Sequence, residues 1–335
     1  MIRLAINGYG RIGRSIVRAL EESILYSDLE VVAINDPSDF ELLTHLTRFD
    51  STYGPFRADV QLSGDRLSVN KREIQLFSKR DIIELPWQAL GIDLVLECSG
   101  RFTSKSLASQ HLMAGAKKVL VSAPVADADA TVVYGVNHDS VRAEHRIVSN
   151  ASCTTNCLAP IAKVLNDAIG IRHGFMTTIH AYTNDQVLLD KVNNDPYRSR
   201  GAGQSMIPTK TGAASAVGLV LPELKGRLDG MAVRVPTTDV SVVDAYFCLQ
   251  RNSDREEVNQ LFEQAAAGSL KNVLGYNTLP LVSVDFLRNP LSSIVDAQQT
   301  KVFEDHAKVM SWYDNEWGFA NRMLETGVYM HKLGD

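Results

Sequence analysis

The sequence predicts an α/β chain in two parts: a parallel sheet covered by helices, then an α+β unit, with a last helix returning to the first part. Three observations predict it. In the first 150 residues, short and continuously apolar runs alternate with helical periodicity, as in parallel strands buried on both faces. After residue 150, long strand-like runs follow one another before a helix. A length of 335 residues exceeds one ordinary core and suits two.

"IRLAIN" (2–7) reads as a buried strand, "GRIGRSIVRALEES" (10–23) as a helix and "LEVVAIND" (29–36) as a second strand. "IDLVLECSG" (92–100), "KKVLVSAP" (117–124) and "ATVVYG" (130–135) are further strands, with "SKSLASQHLMAGA" (104–116) the helix between two of them. A helix is expected from about 153 to 169, ended by Gly170. Strands follow at "FMTTIHAYT" (175–183), "GMAVRVP" (230–236) and "VSVVDAYFCLQ" (240–250). "SDREEVNQLFEQAAAG" (253–268) reads as a helix with a serine cap, acids in its first turn and a closing glycine. Residues 184–206 form a long, polar, aperiodic segment, of a length that is usually functional or packed on a neighbour. Residues 318–333 read as the final helix.

An apolar share of 45% and a charged share of 22% fit a soluble globular protein. A net charge of −5 gives no electrostatic reason to expect nucleic acid. No run of about 18 apolar residues is present, so no membrane span is expected. Arg3 and Asn7 interrupt the opening apolar run, so no secretory leader is expected and the cytoplasm is the default compartment. Four cysteines (Cys98, Cys153, Cys157, Cys248) make no disulfide framework.

"INGYGRIGR" (6–14) places Gly8, Gly10 and Gly13 directly after a strand and at the opening of a helix. Alone, this is a glycine turn. In that position Gly8 permits a tight turn, Gly10 lets a pyrophosphate approach the backbone and Gly13 permits close helix–strand packing, which is the Rossmann dinucleotide fingerprint. Asp36 ends the second strand, where an acid accepts from ribose hydroxyls and repels a 2′-phosphate. Without the loop Asp36 would read as a turn residue.

"SNASCTTNCLAP" (149–160) raises four readings: metal site, disulfide half, buried thiols or nucleophile. No second Cys or His pair completes a zinc set, so no metal is expected. Cys157 reads as a small buried hydrophobe. Cys153 sits where a helix begins, and a helix N-terminus lowers a thiol's pKa. Of eight histidines, His180 lies at the end of a long strand and is the candidate base. A thiolate that adds to an aldehyde forms a hemithioacetal, which can lose hydride to a nicotinamide and leave an energy-rich thioester.

These stretches, with "HAYTNDQ", "IPTKTGAASAVGLVLPELKG", "GMAVRVP", "VSVVD" and "SWYDNEWGF", closely resemble the phosphorylating, NAD-linked glyceraldehyde-3-phosphate dehydrogenases, in order over essentially the whole chain. The resemblance implies residues 1–151 as the NAD-binding domain, 152–315 as the catalytic domain and 316–335 as a helix packed on the first. It implies Cys153 as nucleophile and His180 as base. It implies Thr183, Asp185 and Arg234 around the phosphate of glyceraldehyde 3-phosphate, with Ser152, Thr154, Arg198, Thr211 and Gly212 around inorganic phosphate. For NAD it adds Arg11, Ile12, Arg80, Ser99, Gly100, Phe102, Ser122 and Asn315. It implies a homotetramer whose loop at about 182–206 reaches a neighbouring subunit.

The chain departs from the common pattern at Lys191-Val192, where many NAD-specific members carry Leu-Pro; a lysine there can tolerate NADP. Phe319 stands where many relatives have tyrosine, and Tyr9 where phenylalanine is common. The stretches 129–157 and 314–324 also read very like erythrose-4-phosphate dehydrogenase, which releases a free acid. "HAYTNDQ" and "TKTGAASAVGLVLPEL" follow the phosphorylating enzyme at both anion sites, which places the triose reading first. Readings from other classes are a cysteine acyl hydrolase and an NAD-sensing binding protein.

Overall fold

A computed structural model describes residues 1–334. The chain divides into two compact units. One holds Met1–Val132, His138–Ala151 and the residues from Ala320 onward; the other holds Val133–Asn137 and Ser152–Phe319.

The first unit is built on one sheet. Its central strand, Ile2–Asn7, pairs in parallel with Leu29–Asn35 on one side and Leu94–Glu97 on the other. Lys118–Val121, Ile147–Ser149 and the short Ala130–Thr131 extend the second side, all in parallel. Arg72–Phe77 extends the first side in parallel, then two antiparallel strands, Arg66–Val69 and Val60–Ser63, close the edge. These last three strands are only four to six residues long ("REIQLF", "RLSV", "VQLS"), and the sequence reading does not find them. The strand expected over 130–135 stops at Thr131, and turns follow.

Ala5, Val95, Val119 and Ile147 sit in one buried cluster with Trp87 and Ala108. The strands read as continuous apolar runs because both of their faces are covered. The order of strands reverses at Ile2–Asn7, and in such sheets the crevice beyond the strand ends at the reversal is the ligand position. Gly8 stands there with φ +90°, and a Cβ on it would lie 2.4 Å from the Ser99 backbone.

A buried polar network ties this corner together. Trp87 Nε1 donates to His111 Nδ1 at 3.1 Å, so the His111 proton is on Nε2, which lies 3.0 Å from Glu97 Oε2. Glu97 also accepts from Asn7 Nδ2 at 2.5 Å and from the Ser99 backbone N–H at 2.7 Å. The loop after Leu94–Glu97 is thereby fixed against the glycine turn.

The last helix runs Trp317–Lys332. Its residues from Ala320 onward belong to the first unit, as the sequence predicts: Tyr26 Oη donates to Asn321 Oδ1 at 2.9 Å and Lys118 Nζ to the Met330 carbonyl at 2.7 Å.

The second unit is a mainly antiparallel sheet in the order Ile207–Lys210, Leu228–Val235, Ile171–Ala181, Ser241–Leu249, His306–Tyr313, Ser293–Asp296, Leu274–Asn277. Helix Cys153–Ala168 packs on this sheet and on helices Ala213–Val220 and Arg255–Ala267. Along Ile171–Ala181, Met176, Thr178 and His180 point to the buried face and Phe175 and Ile179 to the outer one. The cap of Arg255–Ala267 is Asp254, not the serine expected: its carboxylate accepts from Glu257 N–H at 2.8 Å, while Ser253 Oγ donates to the Glu257 side chain. No helix among the described residues is long and apolar enough to cross a membrane.

Gly8→Ala places a Cβ into backbone at a left-handed φ and is expected to cost roughly 2–5 kcal/mol. Gly10→Ala, with nothing within 4 Å of its new carbon, is expected to leave the melting temperature unchanged. Thermal unfolding of both variants checks the pair.

Candidate active site

Ser152 caps the helix that begins at Cys153; its Oγ accepts the Thr155 N–H at 3.0 Å. Ala151, just before the cap, holds φ +56°, a left-handed conformation alanine adopts only when its surroundings enforce it. His180 arrives at the end of strand Ile171–Ala181, with Nε2 3.6 Å from Cys153 Sγ. The Tyr313 ring stands edge-on to the imidazole at 5.9 Å. Its hydroxyl is shared with Thr154 Oγ1 and Thr178 Oγ1, each at 2.8 Å. Tyr313 is a site residue to which the sequence reading gives no role, although it stands inside "SWYDNEWGF".

The expected lowering of the Cys153 pKa does not hold. Burial pushes the thiol up and outweighs the opposing pull of the Arg234 charge and of hydrogen bonds to Thr154; Asp239 adds to the rise. Burial, then Arg234, also push His180 down to about 3, against a rise from the Ala181 carbonyl.

Arg234 faces His180 because strand Leu228–Val235 pairs in parallel with Ile171–Ala181 in a register that sets the two residues opposite each other. Its Nη1 lies 2.6 Å from His180 Nδ1. Thr183 Oγ1 donates to Gln186 Oε1 at 3.2 Å, and the buried Gln186 Nε2 has no partner among the described residues. Arg198 pairs with Asp185 at 2.6 Å and donates through Nε to Thr209 Oγ1 at 2.9 Å. Asp185 therefore meets a cation, not an anion. Thr211 Oγ1 accepts the Ala213 N–H at 3.2 Å, and Gly212 caps the helix it opens. Thr155 Oγ1 donates to the Ala213 carbonyl at 3.4 Å, which puts this helix start beside that of Cys153 and so groups Ser152 and Thr154 with Thr211 and Gly212.

In the first unit, Gly8, Gly10, Arg11, Ile12 and Gly13 form the turn into helix Arg11–Glu22, which has no side-chain cap. Its first N–H groups and the open space at Gly10 suit a diphosphate. Asp36 Oδ2 accepts the Tyr9 N–H at 2.8 Å and Oδ1 the Ser38 N–H at 3.0 Å, which fixes the carboxylate beside the loop with lone pairs left for ribose hydroxyls. The Arg11 guanidinium turns to Asp50 at 2.5 Å, so only its backbone faces the loop. Ser99, Gly100 and Phe102 follow strand Leu94–Glu97, Ser122 follows Lys118–Val121, and Arg80 is exposed after Arg72–Phe77. The residues present fit a dinucleotide. Asn315 lies in the second unit, where its Oδ1 accepts from Ser241 Oγ at 2.7 Å.

Cys248, Asp305 and His306 bring three donor atoms within 4.8 Å of one another. Arg172 Nη2 already donates to Cys248 Sγ at 2.7 Å and to Asp305, so this cluster holds a cation of its own.

The chain matches the family profile "Glyceraldehyde 3-phosphate dehydrogenase, NAD binding domain" over residues 2–105 and its "C-terminal domain" counterpart over 152–315. It is 57% identical over 334 residues to the glyceraldehyde-3-phosphate dehydrogenase of Xanthobacter flavus, covering 99% of each chain. It is 58% identical to the protein of that name in Pseudomonas aeruginosa, covering 100% of this chain and 99% of the relative. Identity to glyceraldehyde-3-phosphate dehydrogenase 1 of Bacillus cereus is 51%, covering 100% of both chains.

His180 binds its proton at about 3 in the fold against an ordinary 6.5, so between those values the unfolded chain holds the extra proton. The stability this residue confers is complete above pH 6.5 and is lost as pH falls toward 3. His180→Gln is expected to make the acid-side fall in stability shallower, by up to about 1.4 kcal/mol per pH unit. Melting temperatures at a series of pH values between 6.5 and 4.5 check it, and identical slopes for both proteins would refute it.

Proposed function

This chain belongs to the glyceraldehyde-3-phosphate dehydrogenase family, and from that premise we propose that it oxidises D-glyceraldehyde 3-phosphate to 1,3-bisphosphoglycerate with NAD in glycolysis and gluconeogenesis. The observation that carries the reading is the Cys153–His180 pair, Sγ to Nε2 at 3.6 Å, at a helix start with the Arg234 guanidinium beside the imidazole.

Cys153 Sγ attacks the aldehyde carbon, and the thiol proton passes by way of His180 Nε2 to the carbonyl oxygen, which leaves a hemithioacetal hydroxyl and a free imidazole. The hemithioacetal hydroxyl then gives its proton to His180 Nε2 as hydride leaves the same carbon. NAD, when bound, accepts that hydride. The product is a thioester on Cys153. Inorganic phosphate attacks its carbonyl carbon, the C–S bond breaks, and the acyl phosphate departs with the thiolate restored. Two phosphate groups must be held around one thioester, the substrate's own at its far end and the attacking one at the carbonyl carbon. Arg234 and Thr183 hold the substrate's own phosphate, while Arg198, Thr211, Gly212, Ser152 and Thr154 surround the attacking one, through donors suited to phosphate oxygens. Asp185 acts through Arg198. The glycine turn, Asp36, Arg80, Ser99, Gly100, Phe102, Ser122 and Asn315 hold NAD.

The protein acts as a cytoplasmic homotetramer in this reading. Phe175, Ile179, Met231 and Tyr246 share the outer face of the second sheet, and Phe175 is 62% exposed, which supports burial of that face against another copy.

The test is reduction of NAD with glyceraldehyde 3-phosphate and with erythrose 4-phosphate, each with and without inorganic phosphate, and with NADP as the alternative cofactor because of Lys191. Turnover of the triose that requires phosphate is expected; phosphate-independent release of free acid would favour the erythrose enzyme or a hydrolase. Cys153→Ser is expected to abolish turnover while NAD binding, followed by fluorescence titration, persists.

A further inference from the structure

Three buried polar residues stand side by side at the carboxyl ends of three adjacent parallel strands. Asn7 lies opposite Asn35 on one side and Glu97 on the other, and each of the three is at most 2% exposed. The residues just before them, Ile6, Ile34 and Leu96, are apolar and buried, so the polar row is confined to the level where the crevice opens. The side chains are joined in one direction. Asn35 Nδ2 donates to Asn7 Oδ1 at 2.7 Å, and Asn7 Nδ2 donates to Glu97 Oε2 at 2.5 Å. The row runs on past Asn35 into the loop after strand Arg72–Phe77: Asn35 Oδ1 accepts the Lys79 N–H at 2.8 Å, and its Nδ2 also donates to the Lys79 carbonyl at 3.0 Å.

Glu97 sets that direction. It meets four donors: the Ser99 N–H and Oγ on Oε1, and Asn7 Nδ2 and His111 Nε2 on Oε2. His111 has to donate there, because Trp87 Nε1 donates to its other ring nitrogen. Asn7 therefore turns its nitrogen to Glu97 and its oxygen to Asn35, and Asn35 turns its oxygen to the Lys79 N–H. A primary amide in place of the carboxylate presents hydrogens to one of the two pairs of donors. If they face Asn7, its amide has to turn over, Asn35 has to follow, and the Lys79 N–H then meets another N–H. A fault at one end of the row is carried to the other, across two strand spacings of about 4.8 Å each.

We propose that Glu97 is a positioning residue for the adenosine half of NAD, acting through Asn7 and Asn35 on a loop that it does not touch. This rests on the reading of the first unit as the NAD site. Asn35 is followed by Asp36, the ribose acid, whose carboxylate holds the Tyr9 N–H at 2.8 Å, and Lys79 is followed by Arg80. Ser99 stands on the opposite side of the glycine turn, against Gly8. One carboxylate thus ties together both sides of the crevice: the Ser99 loop directly, and the loop beside the adenosine through two amides.

Adenosine is the probe, because it carries no phosphate to reach the glycine turn. Its displacement of NADH, followed by cofactor fluorescence, is measured in the parent, in Glu97→Gln, in Asn7→Leu and in the double variant. Each single variant is expected to weaken adenosine by roughly three- to tenfold, the worth of about one hydrogen bond, and to raise KM for NAD while kcat at saturating NAD stays unchanged. The double variant is expected to bind adenosine no more weakly than Asn7→Leu alone, since the row is already cut. If Glu97→Gln weakens NADH but leaves adenosine unchanged, or if the two losses multiply in the double variant, Glu97 acts on Ser99 alone and the proposal is overturned. A lower melting temperature with unchanged binding constants overturns it too. Should the variants fail to fold, amide exchange in the parent carries the test: saturating adenosine is expected to slow exchange at Ser99 as well as at Lys79, and protection confined to Lys79 counts against the row. If the parent binds neither NADH nor adenosine, the NAD-site reading fails and the proposal fails with it.

Discussion

Removal of a sulfur and an imidazole from water is the constraint on which the rest of this site depends. Desolvation opposes charge on both partners: it raises the Cys153 pKa and lowers that of His180. The helix start beneath the thiol works in the opposite direction but is worth only about 0.3–1 kcal/mol, and up to about 2 in the best partly buried cases. Burial wins.

Such a site has to be held rigidly, because a 3.6 Å contact between sulfur and imidazole supplies little force of its own. Covalent geometry and register supply it instead. The left-handed turn at Ala151 and the Ser152 cap set the thiol, and the parallel register sets Arg234 opposite His180. Tyr313 joins the helix to the strand by sharing its hydroxyl between Thr154 and Thr178. The first unit solves its own version of the problem at Glu97, where a buried carboxylate is met by Asn7, Ser99 and His111. A half-satisfied network in either place would cost more than an apolar core.

The parts legible in the sequence are those whose signal is local. Apolar runs mark the parallel strands, Gly8-x-Gly10-x-x-Gly13 marks the turn into the first helix, and Cys153 announces itself by its small polar neighbours. The edge strands at 60–77 do alternate apolar and polar residues, but over only four to six positions each, too short a run to stand out by period alone. Asp254 displaces Ser253 as a cap because two adjacent capping residues compete, and only geometry decides between them. Glu97 carried a usable sign, a glutamate at the end of the wholly apolar run "LVL", yet its partners Asn7 and His111 lie 90 and 14 positions away. Tyr313 likewise acts through residues 159 and 135 positions away. The sign of the Cys153 shift was unreadable for the same reason: helix position is local, whereas burial is tertiary.

The two guanidinium groups also solve a problem of charge. On the proposed reading, a chain of net charge −5 has to admit a phosphate-bearing substrate and a second, attacking phosphate, and then release a product that carries both. Arg198 is already neutralised by Asp185, so an anion that reaches it competes with an ion pair at 2.6 Å and is held loosely. On the same reading, an anion at Arg234 meets a guanidinium held by His180 and the Ala181 carbonyl, with no carboxylate to displace among the described residues. That inequality has the direction the chemistry needs. The substrate's phosphate must stay through oxidation and acyl transfer, while the attacking phosphate must arrive late and leave with the acyl group. Equal grips would trap either the product or the wrong anion, and the unequal partners of two like residues prevent both.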